Sequence, residues 1–80
     1  MSEGSQEERK SKCHDFAGLV TVCVGDYIML KTSREVVKGT LKEIGEFGYL
    51  IEDDSGFVYA IRYKYIMFLK VLAHAERKPE

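Results

Sequence analysis

Five short segments with the composition of β-strands follow one another in about fifty residues, and this succession restricts the possible fold most strongly. Turn-forming residues separate the segments, most clearly Ser33-Arg34 and the run from Asp53 to Gly56. Short strands joined by tight turns form small barrels. The sequence therefore predicts a mostly β domain, a strongly bent antiparallel barrel with strands over 27–32, 35–44, 47–53, 57–63 and 66–72.

A glycine lies in the middle of the second predicted strand. Gly39 is flanked there by Val37 and Leu41 on one face and by Lys38 and Thr40 on the other. A glycine inside a strand weakens it and often marks a sharp bend or a close approach of another backbone. We expect such a bend or close approach at Gly39.

The last predicted strand, 66–72, is apolar on both faces except for Lys70. A small barrel covers only one face of an edge strand, and an exposed apolar edge promotes aggregation unless another chain pairs with it. The pattern therefore predicts association of subunits through this edge. A head-to-tail contact of this kind closes into a ring or grows into a fibre.

The segment from Asp15 to Val24 permits two interpretations. Asp15 can cap a short helix that includes Phe16 and Leu19, whereas the β-branched residues from Val20 to Val24 favour a strand. We expect a short N-terminal helical turn at about 13–19, followed by extended chain. The polar residues 1–12 are expected to form a disordered tail and residues 74–80 a flexible one, which leaves 13–73 as the domain.

Charge and cysteine content limit the functional classes. The net charge of −1 argues against strong non-specific binding to phosphates, although a protein that reads a few bases in small pockets needs no basic excess. Cys13 and Cys23 are the two cysteines, and the polar N-terminus does not resemble a signal peptide. We therefore expect a cytoplasmic protein without a membrane span and with reduced thiols, a disulfide between the two cysteines being the alternative.

The adjacent residues Cys13, His14 and Asp15 are a weak candidate for metal binding or nucleophilic catalysis. Neighbouring residues rarely bind one ion together, and no second Cys or His pair follows at the spacing of a zinc site. No third group that could orient a Cys–His pair is evident either. We expect no metal, no cofactor and no enzymatic activity.

Two stretches resemble the Sm-like (LSm) family. The run from Arg34 to Lys42, REVVKGTLK, is similar to the "GREVRGTL"-like run of the first Sm motif, and Leu50–Asp53 is similar to that motif's end. Tyr63-Lys64-Tyr65-Ile66 resembles the "Tyr-Lys-His-Ala" signature of the bacterial host factor Hfq. The resemblance covers roughly residues 27–72. It implies the Sm fold, a five-stranded SH3-like barrel behind an N-terminal helix.

The resemblance also implies a function. Sm-like proteins form rings in which strand four of one subunit pairs with strand five of the next, and the rings bind U-rich or A-rich single-stranded RNA. Transferred to this chain, the subunit interface involves Val58, Ala60, Ile66 and Phe68.

The implied RNA site combines a base-stacking aromatic with a cation. The stacking position falls on Phe47, the cation on Lys64 or its neighbour Arg62, and the position of the host factor's His on Tyr65. Stacking on an aromatic ring suits every base. The RNA-binding residues implied by the resemblance are Phe47, Tyr49, Arg62, Lys64 and Tyr65.

Three positions depart from the family pattern. The Sm motif has Asp where this chain has Gly45 and a base-reading Asn where it has Tyr49, and the host factor has Gln where it has Glu46. A carboxylate cannot donate to a uracil carbonyl and repels phosphate. Two alternatives follow: the ring binds RNA with a different base preference, or it is an Sm-like or SH3-like interaction module whose partner is a protein.

Overall fold

Seven strands and one turn of 3₁₀ helix make up residues 12–75, the part of the chain that the computed structural model describes. The last five strands coincide, within a few residues, with the five predicted from the sequence. In chain order the elements are β1 (Cys13–Phe16), β2 (Val20–Cys23), β3 (Tyr27–Lys31), β4 (Val36–Ile44), β5 (Gly48–Glu52), β6 (Val58–Arg62), the 3₁₀ turn Tyr63–Tyr65 and β7 (Phe68–Ala73).

The last five strands form one antiparallel sheet in the order β6-β5-β4-β3-β7. The domain is therefore mostly β and antiparallel, as expected. The predicted closed barrel is not found, because β6 and β7 are the two edges of the sheet and do not pair with each other within 12–75. The 3₁₀ turn connects these two edges along the chain.

The expected N-terminal helix is wrong, since the chain forms the antiparallel hairpin β1–β2 instead. The β-branched residues Val20, Thr21 and Val22 outweigh the capping potential of Asp15, whose carboxylate accepts a hydrogen bond from Thr21 Oγ1 across the hairpin (2.9 Å). Ala17, in the connecting turn, has a φ of 57°.

The expectation of two free thiols is also wrong. The strand register places Cys13 directly opposite Cys23, and the two form a disulfide. The sequence interpretation had assigned the two cysteines to different elements, a helical turn and a strand, so it gave no reason to pair them. Correcting the helix to a hairpin explains the bond.

The core lies between the hairpin and the inner face of the sheet. Inward-facing residues alternate along β3, β4 and β5 with outward-facing, mostly polar ones. Half-buried side chains from β6, β7 and the 3₁₀ turn pack against this core. The buried cluster consists of Val22, Ile28, Leu30, Val37, Leu41, Tyr49 and Ile51.

The backbones of β4 and β5 approach each other closely at Gly39, as predicted. A Cβ atom at this position would collide with the carbonyl group of Glu52 and with the side chain of Ile51. Only glycine fits there without a shift of the neighbouring strand. A register irregularity follows between Leu41 and Glu43, so β4 carries two distortions within five residues.

A buried carboxylate joins the hairpin, the start of β3 and the end of the described chain. Asp26 is fully buried, and its side chain accepts hydrogen bonds from the backbone N–H groups of Cys23 (2.9 Å) and Ala75 (2.7 Å). The second of these bonds brings residue 75 against the buried carboxylate. The tails expected over 1–11 and 76–80 lie outside the described residues.

Candidate functional site

The loop between β4 and β5 meets the 3₁₀ turn, which brings together the two segments that the sequence analysis associated with RNA. The backbone N–H of Tyr63 donates to the carbonyl oxygen of Phe47 (2.9 Å), and the Tyr63 hydroxyl donates to that of Gly45 (2.5 Å). A further bond, from Gly45 N–H to the Gly48 carbonyl (2.8 Å), closes the loop itself. Tyr63 thus holds residues 45–47 against the turn.

Aromatic and cationic side chains project from this junction into solvent. Phe47 is 65% exposed and Tyr65 is 55% exposed, while Arg62 and Lys64 are also exposed. The Lys64 Nζ atom lies 5.5 Å from the centroid of the Tyr65 ring, within the range of a cation–π interaction. Within 12–75 neither Arg62 nor Lys64 forms an ion pair, so both positive charges are available to a ligand.

Tyr49, which the resemblance placed among the RNA-binding residues, lines the cleft beside Phe47, but its side chain is almost entirely buried. Its hydroxyl lies 2.8 Å from Nδ1 of His14. Burial, followed by repulsion from Tyr63, raises the pKa of Tyr49 well above the ordinary tyrosine value. A residue in this environment packs the core and cannot stack on a base without leaving it.

Two clefts flank the exposed end of β6. The first, of about 380 Å³, extends towards Phe47 and is lined by Glu43 and Leu50 among others. The second, of about 430 Å³, extends towards Tyr65 and the β3–β4 loop. Ala60, Ile61 and Arg62 line both clefts. The exposed Phe47 and Tyr65 therefore lie on opposite sides of one strand end, with Arg62 between them.

The second cleft contains a cation that the sequence analysis did not select. Arg34 lines it together with Arg62, and no carboxylate is among its lining residues. Arg34 forms no ion pair within the described chain. The sequence marks Arg34 as a turn residue and as the start of the motif-like run, and nothing in the linear sequence shows that the β3–β4 loop lies near the end of β6.

The first cleft has a mixed charge. Glu43 lines it, and Glu46 is exposed next to Phe47. Carboxylates repel phosphate, so the side of β6 that faces Phe47 is less suited to a polyanion backbone than the side that faces Arg34. A nucleic acid at this surface would place a base near Phe47 and its phosphates near the two arginines.

The edges of the sheet expose apolar side chains, which the last predicted strand had suggested. Val58 on β6 is 57% exposed and Phe68 on β7 is 42% exposed, and Ala60 is exposed beside Val58. Met67 and Leu72 add to the apolar surface at β7. Ile66, in contrast, precedes β7 and packs partly against the core of its own chain.

Comparison with known proteins leaves the family unassigned. The chain has no significant match among protein-family models, curated proteins or solved structures. No helix within residues 12–75 is both long and apolar enough to cross a membrane. The Sm-like relationship thus stays a prediction based on the quoted motifs.

Proposed function

We propose that this chain is an Sm-like protein that assembles into a closed ring and binds single-stranded U-rich or A-rich RNA at the surface formed by Phe47, Arg62, Lys64 and Tyr65. The observation that supports the proposal most is the hydrogen bond between Tyr63 and Phe47, because it joins the loop that carries an exposed aromatic ring to the turn that follows Arg62 and contains Lys64, neither of which forms an ion pair among residues 12–75. Arg34 is added to the proposed site on the basis of the second cleft.

Assembly is proposed to occur between the two free edges of the sheet. One edge offers Val58 and Ala60 on β6, and the other offers Phe68 and Leu72 on β7. Because the two edges differ, a contact between them is head-to-tail and repeats until it closes. Pairing would also cover apolar side chains that are otherwise exposed to water.

The proposed RNA site and the proposed subunit contact meet on β6. Ala60 lines both clefts and also lies on the edge that a neighbouring subunit would occupy. In a ring, each RNA site would therefore be completed by the adjacent subunit, and affinity for RNA should depend on assembly.

A cytoplasmic location forms part of this proposal. Cytoplasmic thiol systems reduce accessible disulfides, so in this location the Cys13–Cys23 bond would have to resist reduction or would be present for only part of the time.

A protein-interaction module is the second candidate function. Glu46 beside Phe47 disfavours a polyanion at that point, and the apolar edges provide an alternative surface for a protein partner. This candidate predicts an oligomer with the same edges but no affinity for RNA, even at low salt.

Light scattering after size-exclusion chromatography, with and without U-rich and A-rich oligonucleotides, tests both candidates. The RNA-binding ring predicts an oligomer of one size that binds at least one oligonucleotide, with an affinity that falls as salt is raised. An oligomer that ignores both RNAs would favour the interaction module. A monomer that ignores both would contradict the ring and the RNA site together.

Substitution of Phe47 gives the sharpest test of the binding surface. Phe47→Ala should weaken RNA binding by about 1–3 kcal/mol, the contribution of one stacked base. Phe57→Ala is a matched control, because Phe57 is also 65% exposed but lies at the β5–β6 turn. Equal losses of affinity in the two variants would place the RNA elsewhere.

Replacing a lysine tests the cationic part of the surface. Lys64→Ala should weaken binding and reduce its salt dependence by about one charge. Lys38→Ala removes the same charge from the exposed face of β4 and should change the affinity much less.

The edge contact can be tested separately. Phe68→Lys should dissociate the oligomer while leaving the fold of the subunit intact, because Phe68 lies on the outer face of an edge strand. Val36→Lys is the control, since Val36 is similarly exposed but sits on β4, two strands in from that edge. An oligomer that persists in Phe68→Lys would exclude this edge from the interface.

A further inference from the structure

The N-terminal hairpin contacts the inner side of the proposed site through the side chain of His14. The His14 ring stacks on the ring of Tyr63, with centroids 4.8 Å apart and planes 10° from parallel. The same His14 ring approaches Tyr49 edge-on and places Nδ1 2.8 Å from its hydroxyl. His14 is thus held between a core residue and the first residue of the 3₁₀ turn.

Tyr63 transmits this contact to the exposed surface. Its ring lies against His14, its hydroxyl bonds to Gly45, and its backbone N–H bonds to Phe47. The carbonyl of Tyr63 also accepts a hydrogen bond from Ile66 N–H (3.1 Å), which closes the 3₁₀ turn that contains Lys64 and Tyr65. A shift of the Tyr63 ring would therefore move both halves of the proposed binding surface.

The two strands of the hairpin are attached to the domain very differently. β2 buries Val22 in the core, and Cys23 is bonded to the buried Asp26 through its backbone N–H. β1, which contains His14, pairs only with β2 within the described chain, and besides His14 it contributes the half-buried Phe16, which packs against the edge of the core near Tyr49. An isolated two-stranded hairpin is only marginally stable in water. The bond between Cys13 and Cys23 fixes β1 to the anchored strand, one residue away from His14.

We propose that His14 is a positioning residue for the 45–47 loop and the 3₁₀ turn, and that the Cys13–Cys23 disulfide controls this positioning in response to thiol reductants. When the disulfide is intact, β1 holds His14 on Tyr63 and the surface is ordered for binding. When it is reduced, β1 loosens and the surface loses part of its order. The part of this inference that concerns RNA affinity rests on the proposed function.

The redox step is an ordinary thiol–disulfide exchange with a dithiol. A dithiol thiolate attacks the sulfur of Cys13, which belongs to the more exposed residue, and displaces the thiolate of Cys23. The second thiolate of the reductant then attacks its own mixed disulfide and releases Cys13. Two electrons pass to the protein, which gains two thiols, and the reductant leaves as a cyclic disulfide.

Amide chemical shifts of the folded protein test the inference without any ligand. We expect reduction by a dithiol to shift the amides of residues 45–47 and 63–66 in addition to those of the hairpin. The amides of the β5–β6 turn, 53–57, should not move. Shifts confined to residues 12–25 would overturn the inference, because the hairpin would then be uncoupled from the surface.

Two substitutions in β1 separate the role of His14 from that of the hairpin as a whole. His14→Ala, with the disulfide intact, should reproduce the shifts at 45–47 and 63–66, and reduction should then add little there. Asp15→Ala is the matched control, because Asp15 lies on the same strand but bonds to Thr21 on the exposed side. His14→Phe, which retains a ring for stacking on Tyr63, should restore most of the original shifts.

Affinity for a U-rich or A-rich oligonucleotide gives the second readout, measured on the oxidised and reduced protein at matched oligomeric state. We expect reduction, or His14→Ala, to weaken binding roughly two- to tenfold, the effect of one lost aromatic contact. Equal affinities in the two redox states would show that the disulfide does not control RNA binding. If neither state binds RNA, the proposed function fails, and the chemical shifts alone decide whether the hairpin is coupled to the surface.

Discussion

The five-stranded sheet and the β1–β2 hairpin are held in place by different forces. Six of the seven residues in the buried cluster come from β3, β4 and β5, and only Val22 comes from the hairpin. In the hairpin, a disulfide joins β1 to β2, and the stacking of His14 and the bond between Cys23 and Asp26 attach the two strands to the rest of the domain. The sheet is thus stabilised mainly by apolar burial, and the hairpin mainly by a few specific contacts.

This difference follows from the size of the chain. A domain of about eighty residues buries too little apolar surface to be very stable, and small domains often add crosslinks. The hairpin packs against the inner face of the sheet but adds only one residue, Val22, to the buried cluster. Its attachment can consequently respond to chemistry that leaves the sheet intact.

Truncation of a buried side chain should give the largest loss of stability. Comparing one such variant in the sheet with one in the hairpin measures how much each region contributes to the core. Ile51→Ala should lower the free energy of unfolding by about 2–5 kcal/mol, because Ile51 is fully buried in the middle of the sheet. Val22→Ala should cost less, about 1–3 kcal/mol, because fewer methyl groups are lost. Urea unfolding of both variants checks this order, and a larger loss for Val22→Ala would make the hairpin the main part of the core.

Removal of the disulfide should have the next largest effect. The double variant Cys13→Ser/Cys23→Ser should lose about 2–3 kcal/mol, the value expected when a crosslink between residues ten apart is removed from the unfolded chain. The reduced parent protein is the control and should unfold at the same urea concentration as the variant. If oxidised parent and variant unfolded together, the noncovalent contacts would be sufficient to hold β1.

Replacing Asp26, the buried carboxylate that joins the hairpin to the sheet, should lower the free energy of unfolding by an intermediate amount. Asp26→Asn leaves one amide oxygen to accept the two backbone bonds that Asp26 now accepts with two oxygens, from Cys23 and Ala75. One buried N–H should lose its partner, at a cost of about 1–3 kcal/mol. Unchanged stability, measured by thermal and urea unfolding, would show that the chain relaxes at residues 74–75 without loss.

The sheet could be predicted from the sequence because its strands follow simple rules. The strand predicted over 57–63 is found as β6 (Val58–Arg62), where Tyr59 and Ile61 pack against the core. The turn at 53–56 was identified from its residue types, and Gly56 indeed has a positive φ of 92°. Local chemistry was sufficient in these cases, because each strand and turn is determined by residues close together in the chain.

The hairpin and half of the candidate site could not be predicted in this way. β1 and β2 have only four residues each, too few for their alternation to outweigh the helix-capping signal of Asp15. The hydrogen-bond partner of the Tyr49 hydroxyl is His14, which is 35 residues away in the sequence. Arg34 and Arg62 line one cleft although they are 28 residues apart and lie at the ends of strands that are not neighbours in the sheet, which no local pattern encodes.

Loss of the hydrogen bond between His14 and Tyr49 should lower the free energy of unfolding least, at neutral pH. Tyr49→Phe keeps the buried ring and removes the hydroxyl, so the free energy of unfolding should fall by about 1 kcal/mol. A loss several times larger would mean that this single contact is the main attachment of β1 to the sheet.

The difference in stability between the parent protein and Tyr49→Phe should change at alkaline pH. Burial raises the pKa of Tyr49 in the folded state above its ordinary value of 10.0, so above that pH the unfolded chain ionises while the folded chain keeps its proton. The unfolded state then binds fewer protons, and the stability contributed by neutral Tyr49, complete below pH 10, is lost as the pH rises at up to about 1.4 kcal/mol per unit.

Tyr49→Phe lacks this loss of stability. The parent should therefore be the more stable protein at pH 7 to 9, and its advantage should shrink and then reverse above pH 10. Parallel curves of unfolding free energy against pH would show instead that the Tyr49 hydroxyl is hydrated, which would also remove the contact through which His14 is held over the sheet.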